Sequence, residues 1–402
     1  MTSTPSNSSN TFDYIVCGGV QSETFHPTKW FEARPEDHGS SGPLNTDPRE
    51  LAPISKLLMK SFESQGFPYD ADMFSHGRNP HGYGHITRTH FQGCRSMSTA
   101  YLSDQTSLHG SLRVVTNATV DRVVFDQGPD KLRATAIVFI LYETDKQDLT
   151  TDNLIYQKNG YKIARDLWRE KKTGFLASSP FGIGAFARLD ERLKDSPEWV
   201  NAPREPGRDP MGLTTKQPNI ELFTTECYGG LKKLSDFPEG KQAFGIVTEL
   251  FSPKSRGAVT ITSPDPMQKP RVDHNYLADP LDILVLAEAC QLGHEIITKG
   301  AGTAEIVKGS WPKEAAHHTR TTRDSWAEYV RENAVSGFHA AGTCKMGKPD
   351  DPTAVLDHKL RVLGIENLRV ADCSVMPQLN GGHTQMPAYG IGEKAADLIK
   401  GH

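Results

Sequence analysis

The sequence predicts an α/β to α+β fold in which a mostly antiparallel sheet packs with helices. Three observations lead there. Segments 111–143 and 243–263 alternate apolar and polar residues like consecutive strands. Stretches 49–66, 279–297 and 388–400 place apolar residues at helical spacing. The 402 residues exclude a small stapled scaffold and suffice for two or three domains or one large enzyme fold.

Taken in order, residues 1–11 are polar and read as a disordered tail. They carry neither the basic start nor the apolar run of an export signal, so a cytoplasmic location is expected. FDYIVCGG (12–19) reads as a short buried strand ended by Gly18-Gly19. A dinucleotide-binding fold begins this way, but its G-x-G-x-x-G turn needs a third glycine and a helix whose N-terminus holds the phosphates. Here no third glycine follows at that spacing, and Pro27 interrupts the segment. Residues 49–66 form a helix with Leu57, Leu58 and Phe62 on one stripe, and 73–98 form a Gly- and His-rich loop. The ribbon over 111–143 turns at Gly128-Pro129-Asp130, whereas 151–240 mixes helices with Gly/Pro-rich loops.

Further on, 243–263 reads as paired strands around Lys254-Ser255-Arg256-Gly257. Asp279 and Pro280 supply the N-cap and first position of a helix to Ile297. Asp324–Glu332 is helical, and a last helix from Ala388 to Lys400 presents Ile391, Ala395, Leu398 and Ile399 on one face. Composition narrows the function classes. Lys and Arg total 45 against 49 Asp and Glu, a formal charge of −4, which offers no footprint for nucleic acid or an anionic membrane. No apolar run is long enough to span a bilayer. The six cysteines are scattered without a C-x-x-C pair, as suits reduced thiols. His76, His81, His85 and His90 recur every four or five residues, but Asn79-Pro80 breaks any helix that would align them, so no metal site is expected.

The C-terminal third carries specific motifs: FHAAGTCKMG (338–347), AVLD (354–357), LRVLGIENLRVADCSVMP (360–377), GHTQMP (382–387) and EKAAD (393–397). Together they closely resemble the end of glucose-methanol-choline (GMC) oxidoreductases. FSPKSRGAVTITSPDP (251–266), with Asp273, Asn275, Tyr276 and Leu277, resembles that family's substrate-domain strands. GYGHITRTHFQGCRSMSTAYL (82–102) resembles its segment linking two domains. The resemblance implies a remnant of an FAD-binding domain over 12–150 and 335–402 and a substrate-binding domain over 151–334. It also implies that His339 and His383 face the reactive edge of the flavin. If FAD is retained, Gly18, Gly19, Asp372 and Thr384 are the cofactor-binding residues.

Two imidazoles suit proton transfer near neutral pH, since an unperturbed pKa near ~6.5 lets one accept while the other donates. The family's G-x-G-x-x-G helix, its acidic ribose-binding residue and a second block after the strand near Val138 find no match here. The leading expectation is therefore a flavin-free enzyme with no cofactor. His339 and His383 would exchange protons with a small natural-product-like molecule, as a lyase, isomerase or cyclase without net redox change. The alternatives are an FAD-dependent alcohol oxidoreductase and a non-catalytic binding protein. The expected partner is a small-molecule substrate, with no nucleic acid and no membrane.

Overall fold

Strands that are apolar on both faces need cover on both faces, and the middle of this chain supplies three of them. The computed structural model describes residues 23–28, 31–48, 50–101, 135–152, 159–177, 180–228, 240–265 and 267–401. Gly18, Gly19, Cys17, most of the 111–143 ribbon with its Gly128 turn, and the 1–11 segment lie outside the described residues.

The strands in chain order are β1 (Glu23–Phe25), β2 (Leu44–Pro48), β3 (Gly82–Gly84), β4 (Thr87–Arg88), β5 (His90–Phe91), β6 (Cys94–Arg95), β7 (Ala136–Thr144), β8 (Phe181–Ala187), β9 (Ile220–Thr225), β10 (Gln242–Leu250), β11 (Ala258–Thr260), β12 (Arg271–Asp273), β13 (Gly309–Trp311) and β14 (Val335–Ser336). The helices used below are α1 (Pro53–Ser64), α2 (Met73–His76), α3 (Gly160–Lys171), α4 (Asp190–Leu193), α5 (Pro197–Asn201), α6 (Pro280–Lys299), α7 (Arg323–Asn333) and α8 (Gln385–Lys400). The principal sheet runs β13-β7-β10-β9-β8-β3, with β14 also on β7, and its pairings are antiparallel. This bears out the α/β fold with an antiparallel sheet. A smaller sheet pairs β1 with β2 in parallel and β2 with β4 antiparallel.

Every residue of β9 and β10 is buried. Even-numbered positions of β10, Phe244, Ile246 and Leu250, join Leu222 of β9 and Val285, Leu286 and Ile296 of α6 in the main core. Odd-numbered Val247 turns to the other face with Phe223 and Ile137. That second face ends in two charged residues, Glu221 and Glu249. A period of two and the strand register put all five residues on one side of the sheet.

The helix signals in the sequence hold up locally. Asp279 Oδ1 accepts the Leu281 N–H at 2.9 Å, and α6 runs two residues past Ile297. Thr322 and Ser325 form a reciprocal capping box at the start of α7. Helix α1 is capped from a distance: the Glu226 carboxylate accepts the Ala52 N–H at 2.8 Å and the Ser55 hydroxyl at 2.6 Å, a negative group at a helix N-terminus. On α8 only Pro387 and Ala395 are buried, and Ile399 faces solvent rather than the expected apolar stripe.

The expected hairpin over 243–263 is not formed. β10 pairs with β7 and β9, and β11 pairs with β12 instead. Between them the Asp282 carboxylate, from the first turn of α6, accepts the N–H groups of Lys254 and Ser255 at 2.7 and 2.9 Å. That side chain pulls the connection across to the helix and prevents a local turn. The described cysteines, Cys94, Cys227, Cys290, Cys344 and Cys373, are free thiols. No helix among the described residues is long and apolar enough to cross a membrane.

One buried ionic knot fastens the smaller sheet. His38, stacked on Phe25, reaches Glu23 Oε1 at 3.3 Å through Nδ1 and Asp72 Oδ2 at 3.0 Å through Nε2. Burial alone would lower this imidazole, but hydrogen bonds to Asp72 and Glu23 and their charges outweigh it and lift the pKa to about 9. Replacing His38 with Ala leaves two carboxylates buried without a cation, and should cost about 3–5 kcal/mol. Because the folded pKa is raised, the stabilisation is complete below the unfolded value of ~6.5 and fades as pH climbs through about 9. Denaturant titrations of wild type and His38→Ala across that window should therefore converge at alkaline pH. A gap that stays constant with pH would contradict this account.

Candidate active site

β9 and β10 run antiparallel, and their register sets Glu249 directly opposite Glu221. Both side chains are essentially free of solvent contact. Like charges at directly opposed positions repel, so a cationic partner or a bound proton is required nearby. Two loops bring imidazoles to this spot. His339 follows β14, whose pairing with β7 places it beside the end of β10. Between them Gly337 passes so close that an added Cβ would collide with Thr135 Oγ1 and Glu249 Oε1. Phe338 takes a positive φ of 62°, and its N–H is held by the Ser336 hydroxyl at 3.0 Å, which turns His339 back toward the sheet. His383 precedes α8 and is fixed by Asn380, whose Nδ2 donates to the Gly382 carbonyl at 2.8 Å and the His383 carbonyl at 3.2 Å.

The two rings meet edge to face, with His339 Nε2 2.9 Å from His383 Nδ1. Their remote nitrogens are anchored as well. His339 Nδ1 lies 2.9 Å from Thr384 Oγ1, and His383 Nε2 lies 3.3 Å from a Glu221 oxygen. Glu249 Oε1 stands 3.9 Å from His339 Nε2 and has no hydrogen-bond partner of its own. Phe251 and Phe223 wall the site, while His383 remains about half exposed.

The electrostatics of the two imidazoles diverge. Burial, reinforced by the charge on His383, pushes the His339 pKa down to about 4. Burial would also lower His383, but the charge and hydrogen bond of Glu221, then the charge of Glu249, raise it to about 9. Burial lifts Glu249 to about 8, with His383 opposing and Glu221 adding. At neutral pH His383 is the imidazolium: its Nδ1–H donates to His339 Nε2 and its Nε2–H to Glu221. One proton is thus held between two rings.

The structure brings the two predicted histidines together. Thr384 joins them and also begins α8. Asp372 sits nearby in the chain path: its Oδ1 accepts the Ser374 N–H at 2.8 Å in a turn whose Cys373 thiol contacts the Thr384 carbonyl. The histidines of 76–90 part company. His76 bonds Asp70, His81 stacks on Phe67, and His90 bridges Asp47 and the Ala177 carbonyl. Glu221 and Glu249 were not singled out in the sequence. Their available signal was a charged residue inside an otherwise apolar strand, as in AFGIVTELF.

Two family models, both described as GMC oxidoreductase, match the chain: the N-terminal model over residues 26–164 and the C-terminal model over 253–392. The chain belongs to the GMC oxidoreductase family. It is 34% identical over 235 residues to Dehydrogenase pkfF of Emericella nidulans, covering 58% of this chain and 36% of that protein. It is 39% identical over 166 residues to glucose dehydrogenase [FAD, quinone] of Drosophila pseudoobscura pseudoobscura, covering 40% and 26%. Versicolorin B synthase of Aspergillus parasiticus aligns at 27% identity over 90% of this chain and 64% of its own length. The matched parts thus span less than two thirds of these relatives. Among solved structures, a formate oxidase superposes with a TM-score of 0.82 at 22% identity, covering 95% of this chain and 77% of that one. A fungal aryl-alcohol oxidase superposes with a TM-score of 0.70 at 18% identity, covering 94% and 77%. These two likenesses concern the fold.

The comparisons correct the flavin-free reading. Both halves of an oxidoreductase family are matched, and the relatives above 30% identity are named as dehydrogenases, one of them with FAD in its name. The expectations of a lyase, isomerase or cyclase and of no cofactor are therefore withdrawn. The unmatched glycine motif, acidic ribose-binding residue and block after Val138 do not amount to loss of the cofactor domain, because the N-terminal family segment is matched from residue 26 to 164. The described residues fit the ring end of a flavin. Helix α8 has no side-chain cap at its N-terminus, so its first N–H groups are available to an electron-rich oxygen. They lie beside the imidazole pair and the exposed Phe338.

Gly337→Ala tests how tightly the site is built. The added methyl group must displace Thr135 or Glu249, and overpacking of this kind costs about 1–3 kcal/mol. Thermal unfolding should fall accordingly; an unchanged melting temperature would show that the Glu249 carboxylate is not held against this backbone.

Proposed function

We propose that this chain acts in an FAD-dependent oxidoreductase that oxidises a small alcohol or a similar donor, with His339 and His383 handling the proton. The observation that carries the reading is the 2.9 Å contact between the two ring nitrogens, anchored on Thr384 and Glu221, with His383 about half exposed to solvent. FAD, when bound, supplies the hydride acceptor. Thr384 and the start of α8 would hold its ring, with Asp372 shaping the turn behind; the proposed phosphate-side residues Gly18 and Gly19 lie outside the described residues.

The chain's own groups then divide the work. Phe223 and Phe251 flank the imidazoles with apolar surface, which excludes water and favours an organic donor. A substrate hydroxyl approaches the exposed side of the pair and gives its proton to an imidazole nitrogen. For that, the pair must first have lost the proton it shares at neutral pH. Glu221 holds His383 in place and keeps the displaced positive charge favourable, while Glu249 lies ready behind His339.

Two outcomes follow. Replacing His339 with Ala should slow substrate-driven bleaching of bound FAD by at least ~100-fold, the lower range for a positioned acid/base group, without changing flavin content; a rate within a fewfold of wild type would refute the assignment. The rate should also rise with pH toward the raised His383 value of about 9. Removing the negative charge in Glu221→Gln lowers that pKa, so the rising limb should move to lower pH. A flat profile, or a limb unmoved by the substitution, would contradict the shared-proton account.

A further inference from the structure

The same cluster of side chains has the makings of a metal site. His339 Nε2, His383 Nδ1 and Glu249 Oε1 all lie within 4.8 Å of one another, and this is the one such group found among the described residues. Two of the separations are 2.9 and 3.9 Å. Divalent ions of the zinc class bind nitrogen and carboxylate oxygen at about 2.0–2.2 Å in tetrahedral geometry, so two ligands of one ion stand roughly 3.3–3.6 Å apart. To reach it, the 2.9 Å pair opens and the 3.9 Å pair closes by about half an ångström each, and the third pair, within 4.8 Å, closes by up to ~1.4 Å.

Three further features point the same way. Glu249 Oε1 is buried and has no hydrogen-bond partner, so a carboxylate oxygen is left aimed at the gap. Each histidine turns its remote nitrogen to a supporting group, Thr384 Oγ1 for His339 and a Glu221 carboxylate for His383. The Glu221 carboxylate can only accept, so it keeps a proton on His383 Nε2 and leaves Nδ1 as the lone pair of the neutral ring, the usual arrangement behind a metal-bound imidazole; the Thr384 hydroxyl orients His339. Finally, the half-exposed His383 leaves an entry path from solvent.

We propose that Glu249, His339 and His383 bind a zinc-class divalent cation, and that the bound ion shuts down proton transfer at the pair. The ligands, two imidazoles and a carboxylate without thiolate, suit Zn²⁺ and Co²⁺ and leave a coordination position open to water. The ion takes the place of the proton between the rings and occupies the two nitrogens the alcohol proton needs. The inhibitory half rests on the catalytic assignment above; the binding half does not.

The test uses the metal-stripped full chain, titrated with ZnCl₂ by calorimetry and with CoCl₂ by visible absorption. Wild type should bind one equivalent of Zn²⁺ and give the intense d–d bands of four- or five-coordinate Co²⁺. Glu249→Gln should weaken Zn²⁺ at least ~100-fold, and Glu221→Gln, which removes only an outer partner, by ~10–100-fold. Should Glu249→Gln fail to fold by circular dichroism, His383→Ala, at a half-exposed position, should abolish the Co²⁺ bands. Absence of saturable binding at millimolar Co²⁺, or an unchanged Kd in Glu249→Gln and His383→Ala, would overturn the site. Stoichiometric Zn²⁺ that leaves turnover intact would overturn the inhibition. Loss of Zn²⁺ binding in His339→Ala with turnover retained would uphold the site and instead refute the catalytic assignment.

Discussion

Two carboxylates facing each other across adjacent buried strands cannot both stay charged without a cation beside them. Glu221 and Glu249 impose that condition on this protein. The rest of the site answers it. His383 carries the positive charge, His339 accepts its hydrogen bond, and Thr384 fixes the far side of His339. The loops that deliver the rings are shaped to the same end: Gly337 gives room for Glu249, and Asn380 clamps the backbone around His383.

The principal sheet is what makes the arrangement rigid. Helix α6 seals one face of β7, β9 and β10 with a dry apolar layer, so the opposite face is free to carry polar groups at its end. A single step in the β9/β10 register would turn one of the two strands over and send its carboxylate into that apolar layer. The buried cost of such a slip locks the register, and the register in turn places the acid pair under the histidines. Packing on one face thereby determines chemistry on the other.

Much of this could be read from local sequence. The Asp279-Pro280 start of α6 and the pairing of His339 with His383 each depend on a short motif, and both appear where expected. What escaped depends on distant partners. The Lys254–Gly257 connection looks like a hairpin turn until Asp282, more than twenty residues on, takes its N–H groups. Glu221 and Glu249 acquire meaning only through cross-strand register, which no window around either residue contains. The gap after Gly18-Gly19 was legible as a missing motif, but a motif is one contact among many that hold a cofactor, and its absence did not license the flavin-free conclusion.

The account stands on one proton held between two imidazoles by buried carboxylates, and nitrogen NMR of labelled histidine side chains observes it directly. Followed from pH 5 to 10, His383 should remain imidazolium past neutrality toward its value of about 9, while His339 stays neutral throughout. If both rings instead titrate independently near the unperturbed ~6.5, the carboxylates do not govern the pair and the central claim is wrong.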